Sequence, residues 1–533
     1  MTFGVYTGLV YFIKPFIEKS AEGDPLYLVW GAAFVFASFP MLFTTKSLAQ
    51  ALSTSTFGHF LVFDVFGIPD EKLALPLSKY GDSYSVAIFV GLVIGSISYF
   101  FSPIYVLVAI GVFVAIALIM TSPEIGVVAS LALLPLFSTE KGEKALVLLV
   151  LLYTFSYFVK LLRGKRIIRF GISDLLLLIF CFFLALSGWV NVWNTDESVA
   201  FRAVFIIVGC FVAGNLMNTK IWQRRCVMAL VYSGFFTSVA LLWQRCVPSV
   251  NEIFGLNIDG AVIEKTMLFG NSDHLAMFLI FSLVMTMTLI YRGEGIKHRA
   301  SVALMVSCIG LAIFLASSLI ELLVCLAALI VFFMIISRKT ITVGAFAVVT
   351  VPSVLLILNG KVLSGALAFL DLTPDTSSSM AKVWDGSFDL IRSSYFLGLG
   401  NGGFAQVYPV YANAGFEDSA NAGAFYLSLL CETGILGFLL VSAVVFLFFK
   451  NGFGFLKLNV GKDKKAFIAG AVSAVSGMLI QSLFCDFFGD ANLLYLLFAT
   501  FCIVFSSIRT GCDEINKYKI EKVNTEYASS VEL

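Results

Sequence analysis

Charge is what this chain has least of. Asp, Glu, Lys and Arg together make 13% of its 533 residues against 59% hydrophobic, and the net charge is +1. So even a balance supplies no field to gather nucleic acid or an acidic partner, and neither is expected. Histidine is scarcer still, with His59, His274 and His298 far apart in sequence. The ten cysteines, Cys181, Cys210, Cys226, Cys246, Cys308, Cys325, Cys431, Cys485, Cys502 and Cys512, show neither Cys-x-x-Cys nor Cys/His spacing. They read as small buried hydrophobes, with no metal site and no disulfide framework expected. Residues 1–19 lack a basic start, apolar run and small-residue cleavage site, so no removable signal peptide is expected. Neither a fixed-period repeat nor matching Gly/Pro-broken helices in two halves is visible, which argues against an inverted-repeat transporter.

What the chain has is apolar length. Its mean hydropathy of +0.95 is that of a polytopic membrane protein. A bilayer core of about 30 Å needs about 20 apolar residues in helical form. That ruler finds candidates near 26–43, 84–102, 104–121, 124–138, 145–162, 173–192, 199–217, 226–246, 274–291, 300–316, 319–336, 341–358, 424–449, 465–486 and 491–508. The expected fold is an all-α transmembrane bundle of about 12–15 spans. Between Tyr84 and Phe137, the breaks at Ser102-Pro103 and Ser122-Pro123 also allow a short re-entrant hairpin. The chain divides into 1–82, membrane or interfacial; 83–358, a transmembrane bundle; 359–424, a polar insert; 425–510, three further membrane helices; and 511–533, a charged tail.

Orientation follows from where Lys and Arg collect in short connections. Arg163, Lys165, Arg166 and Arg169; Lys220, Arg224 and Arg225; Arg292, Lys297 and Arg299; Arg338 and Lys339; and Lys450 to Lys465 form five basic groups. They alternate with weakly basic connections, the insert among them. The insert is therefore expected outside the cytoplasm and the tail inside, in a multi-pass protein of the cytoplasmic membrane. Lys141 and Lys144 fall against this register.

The insert holds the chemistry-bearing residues. Lys382 to Arg392 places apolar groups at Val383, Trp384, Phe388 and Ile391, the pattern of an amphipathic helix. Next comes Gly398-Leu399-Gly400-Asn401-Gly402-Gly403-Phe404, whose glycines permit positive φ. Exposed amides there, at Gly400 and Gly402, can hold a phosphate, although a plain tight turn explains them too. Glu417 and Asp418 precede the next apolar run, where a carboxylate either caps the helix or serves as a general base. Near the ends of other spans stand Arg202, Arg245, Asp273, His274 and Glu321, and Glu432 lies about two turns into the helix after the insert. Snorkelling explains the arginines equally well, a structural role His274, and hydrogen bonding to a neighbouring helix Glu432.

The glycine run, followed by Tyr426-Leu427 and by Leu430-Cys431-Glu432-Thr433-Gly434-Ile435-Leu436-Gly437, resembles the signature of the O-antigen ligase and polymerase superfamily of integral membrane glycosyltransferases. Trp243-Gln244, Leu268 to Ala276 and Trp384 lie in matching order, and the resemblance covers about residues 120 to 510. It implies transfer of a glycan from an undecaprenyl diphosphate carrier to an acceptor glycan or lipid, without a nucleotide sugar, cofactor or metal. In that pattern arginines hold the diphosphate and a loop histidine is the base. This chain departs at the charged positions: Gly423-Ala424 stand where the His-Asn pair is expected, and Leu319 and Met380 where arginines are. By position, Lys382, Arg392 or Arg202 would meet the diphosphate, Asp418 or His274 would be the base, and Gly400, Gly402 and Glu432 would line the substrate site. Ligation and polymerisation are both compatible with this pattern. A flippase of lipid-linked saccharide, or a non-catalytic member of an assembly complex, is the alternative.

Overall fold

The computed structural model of the chain describes residues 2–18, 25–39, 84–100, 103–190, 197–246, 269, 271–292, 296–316, 319–336, 379–412, 421–458 and 461–531. Every regular element among these residues is a helix, as the apolar run lengths predict. Two compact units are distinguished, Met1–Ile125 and Gly126–Leu533.

The first unit contains α1 (Thr2–Glu18), α2 (Pro25–Ser38), α3 (Tyr84–Phe100) and α4 (Pro103–Thr121). Within it α1 packs against both α2 and α3. Small residues let α1 and α2 touch backbone to backbone, since a Cβ on Gly31 would lie 2.6 Å from the amide nitrogen of Gly8.

At the boundary lies α5 (Pro123–Ala132), followed by a 3-10 turn over Leu134–Phe137. Ten residues rise only about 15 Å, so the candidate at 124–138 does not cross a bilayer as one helix. Pro135 sits at the start of the 3-10 turn, and Thr139 caps the next helix by accepting from the Gly142 amide at 3.1 Å. A proline and a cap signal thus end one element and begin another inside a run that hydropathy alone joins together.

The second unit carries α6 (Glu140–Leu162), α7 (Ile172–Val190), α8 (Glu197–Leu216), α9 (Lys220–Cys246), α10 (Ser272–Arg292), α11 (Ile296–Ala316), α12 (Leu319–Ile336), α13 (Ser379–Ser393), α14 (Phe404–Val407), α15 (Phe425–Leu456), α16 (Lys462–Gln481) and α17 (Ala491–Val531). Six helices, α6, α7, α9, α10, α15 and α17, are long and apolar enough to cross a membrane. Shorter apolar helices, α8, α11 and α12 among them, join these. The candidate at 341–358 lies outside the described residues.

At the centre is α17. Residues 491–507 are buried without exception, which explains why this helix is apolar on every side. Around it the outer helices show apolar groups to the surroundings, as with Leu148, Leu151, Phe155, Phe158 and Leu162 along one face of α6. A stripe of that size marks a surface that meets a membrane or a partner. Beyond the buried stretch α17 runs unbroken to Val531, so the charged tail is helical.

One end of this unit collects the basic groups. Arg509 pairs with the buried Asp174, Arg169 lies 3.7 Å from Asp513, and Lys220 and Lys464 reach Glu514 at 3.8 and 2.8 Å. Connections 163–169, 219–220 and 461–465 therefore share one end, where α17 emerges. The glycine turn, the start of α15 and the start of α8 share the opposite end. There α6 also begins, and its Glu143 pairs with Arg202. Lys141 and Lys144 thus stand at the insert end, against the register of the other basic groups.

Candidate functional site

The site begins with a broken helix. At Gly434, inside α15, φ is 63° and ψ is −172°, which interrupts the helical hydrogen-bond ladder. The groups this frees are taken by the glycine turn. Leu399 and Gly400 donate their amides to the carbonyls of Cys431 and Glu432 at 3.0 and 2.9 Å, and Ile435 donates to the carbonyl of Tyr395 at 2.9 Å. Backbone polar groups at this depth have no water to turn to, so a break is stable only with such partners. Contact is so close that a Cβ on Gly398 would lie 2.5 Å from the Glu432 carbonyl. A Cβ on Gly434 would lie 2.4 Å from the Phe396 oxygen. The side chain of Glu432, buried beneath the turn, accepts from the Gly402 amide at 2.9 Å, and Ser187 of α7 donates to the Leu397 carbonyl at 2.8 Å.

Amphipathic α13 covers this join. Its Val383, Leu390 and Ile391 are buried in a cluster with Leu399, Phe404, Tyr408, Ala422, Ala424, Leu427 and Cys431. The apolar face therefore packs on the protein and leaves Lys382, Phe388, Asp389 and Arg392 exposed.

A second connection, between α16 and α17, closes the site from below. Phe487 stacks on Phe425 with ring centroids 4.4 Å apart, and the Phe425 amide donates to the Ser482 carbonyl at 3.0 Å. Buried Asp486 accepts from Ser428 at 2.6 Å and from the Phe488 amide at 2.9 Å. Burial raises its carboxyl above the usual range, and these two bonds, with nearby His274, only offset part of that rise. His274 lies with Nε2 2.8 Å from the Asp486 carbonyl and Nδ1 2.8 Å from the Asp490 carboxylate.

These pieces meet at a cavity lined by Arg202, Ala203 and Ile206 of α8, by Asn401, by Phe488 and Gly489, and by Ala491 and Leu494 of α17. Arg202, paired with Glu143, brings a cation to its wall.

The sequence-derived candidates are thus distributed unevenly. Arg202 lines the cavity. Gly400 and Gly402 take positive φ as their residue type foreshadows, but their amides are spent on Glu432, so the turn offers no anion nest. Glu432 holds the turn instead of facing an open site. Both ring nitrogens of His274 face protein acceptors, which binds it to the 486–490 connection and leaves neither nitrogen for a substrate. Arg392 is an exposed partner of Asp389 at 2.8 Å, and Lys382 is exposed on the same helix. Asp418 and Glu417 lie outside the described residues. Sequence reasoning did not single out Asn401, Glu143, Ser428 or Asp486. Asn401 was visible as the one side chain with hydrogen-bonding groups among the four glycines of the turn, whereas the 58-residue separation of Ser428 and Asp486 carries no local signal.

Helices of this length and polarity, closed at one end by a glycine turn on a broken helix, define an integral membrane protein with a built polar site at that end. Residues 302–442, which include both halves of the join, match the family model described as O-antigen ligase. The match supports membership of the O-antigen ligase superfamily and a membrane glycosyltransferase-like role in polysaccharide assembly. No curated protein matches the chain.

Proposed function

We propose that the protein transfers a glycan from a polyprenyl diphosphate carrier to an acceptor glycan or lipid, at the non-cytoplasmic face of the cytoplasmic membrane. The observation that carries this reading is the join itself: two sequence pieces inside the matched segment fold together and set their turn beside a cation in a cavity. In such a transfer an acceptor hydroxyl attacks the anomeric carbon, the bond from that carbon to the diphosphate oxygen breaks, and a base takes the hydroxyl proton. Charge grows on the leaving diphosphate, and a fixed cation at a membrane-embedded wall stabilises it more than one in water would. Arg202 fills that role, and Glu143 sets its position. Lys382 and Arg392, exposed on α13, are placed to draw the anionic headgroup in. Asp418 is the candidate base, because His274 is committed at both nitrogens. The end that gathers Arg169, Lys220, Lys464 and Arg509 faces the cytoplasm by the positive-inside rule, which puts the join outside.

Two measurements test this. In vesicles supplied with an undecaprenyl-diphosphate-linked glycan, Arg202→Ala is expected to abolish transfer while the protein stays folded, and full activity would remove Arg202 from the site. A cysteine placed at Lys382 in an otherwise cysteine-free chain is expected to react with an impermeant maleimide in intact cells. Reaction only after permeabilisation would put the join on the wrong side.

A further inference from the structure

Among the described residues the buried amide oxygen of Asn401 has no hydrogen-bond partner. The residue is 1% exposed, and it lines the cavity together with Arg202, Phe488 and Gly489. Leaving a buried acceptor unpaired costs stability, so an acceptor that faces a cavity gains from any donor that enters it. The backbone on either side of Asn401 is held in place. Its neighbours Gly400 and Gly402 are both tied to Glu432, the first through its carbonyl at 2.9 Å and the second through its carboxylate at 2.9 Å.

The cavity therefore asks for two things at once. Arg202 suits an anion. Asn401 Oδ1 suits a hydroxyl or amide N–H. An ionised diphosphate has acceptor oxygens only, so it serves Arg202 and cannot serve Asn401. A sugar hydroxyl serves Asn401. A glycosyl diphosphate, in which sugar and phosphate are directly bonded, presents both groups within a single cavity.

Resting on the proposed use of a lipid diphosphate donor, we infer that Asn401 is a specificity-determining residue that accepts a hydroxyl from the carrier-linked sugar and so distinguishes loaded carrier from bare carrier. The consequence for turnover is direct. Once the glycan has moved, the spent polyprenyl diphosphate lacks the donor, the amide oxygen is unpaired again, and the product is held less tightly than the substrate.

The test measures binding of three probes to the full-length protein in lipid nanodiscs: undecaprenyl diphosphate, and the same carrier bearing either one N-acetylglucosamine or one glucose. Wild type is expected to bind a sugar-bearing probe about tenfold more tightly than the bare carrier, the difference one hydrogen bond to a buried acceptor makes. Asn401→Ala should bring that ratio close to one with affinity for bare carrier unchanged. Asn401→Asp keeps an acceptor of the same size and should retain a ratio above one, whatever its added charge does to both affinities. Arg202→Ala should weaken all three probes together. Equal binding of all three by wild type overturns the inference without touching the proposed function. So does an Asn401→Ala variant that keeps the wild-type ratio, or one that loses affinity for bare and loaded carrier alike, since that marks a turn-holding role. Failure of wild type to bind any probe overturns the proposed function, and this inference with it.

Discussion

Replacing Gly398 by Ala attacks the join between the glycine turn and the broken helix. Gly398 has φ of 66°, and a Cβ there would sit 2.5 Å from the carbonyl carbon and oxygen of Glu432 and from the amide nitrogen of Gly434. All three are backbone atoms, so no side chain can swing aside. The left-handed conformation alone costs an alanine about 1–2 kcal/mol. Moving the turn far enough to admit the methyl also breaks the bonds from Leu399 and Gly400, now 3.0 and 2.9 Å long, each worth about 1 kcal/mol net. The local cost is roughly 3–4 kcal/mol. Because none of it falls on α10, α16 or α17, the bundle should fold and the turn alone should open. Hydrogen exchange read by mass spectrometry is the assay. Protection at Leu399, Gly400 and Ile435 is expected to fall by about two to three orders of magnitude, with protection across 491–507 unchanged and transfer activity lost. Unchanged protection at Leu399 and Gly400 would refute the reasoning, and so would melting of the whole bundle.

Three further outcomes follow from the same geometry. Glu432→Ala strands the Gly402 amide and should cost about 1–3 kcal/mol in thermal unfolding, while Glu432→Gln keeps an acceptor and should cost well under half of that; equal losses would show that charge and not the hydrogen bond matters. Arg509→Met leaves Asp174, 2% exposed, as a buried unpaired carboxylate and should cost about 3–5 kcal/mol, largely restored by adding Asp174→Asn. Lack of restoration would mean that the pair does not act as a unit. Asp486 has a folded-state carboxyl raised by burial, so its stabilising contribution is complete below the ordinary value of about 3.9 and is lost as pH rises through the folded value. Asp486→Asn should therefore flatten the decline of melting temperature with pH above about 4, and an identical slope in both proteins would remove Asp486 as its source.

Much of the fold was legible because each legible feature is local. Apolar run length marks a helix that must satisfy its own backbone, and the apolar runs coincide with α6 to α12, α15 and α16 and with the first part of α17, which continues past residue 508 to Val531. Lys and Arg grouped the connections by end. Their one mismatch is Lys141 and Lys144, which stand at the insert end beside Glu143, the partner of Arg202. What was not legible depends on pairing at a distance. The period of α13 marks an apolar face but not what covers it, and the face went to α15 instead of lipid. His274 beside Asp273 reads as a local pair, yet its partners come from residues 486 and 490. Gly434 inside an apolar run is indistinguishable from a tolerated helix glycine until the turn that fills the break is seen.

That break explains why the glycine run and the stretch from Cys431 to Gly437 occur together in this chain. A helix interrupted inside a membrane protein exposes backbone groups that lipid cannot pair, so Gly434 is stable only while residues 395–400 are docked on it. The glycine run can dock there only because positions 398 and 434 have no side chains. Each half of the signature therefore requires the other on structural grounds alone, whatever chemistry is performed above. Gly423, Leu319 and Met380 lie outside this mutual requirement. Arg202 reaches the cavity from α8, 200 residues before the turn it faces, and Glu143 holds it there. The side chains on which the proposed transfer is to be tested are consequently those that reach the Asn401 cavity in space, from whatever part of the sequence they come.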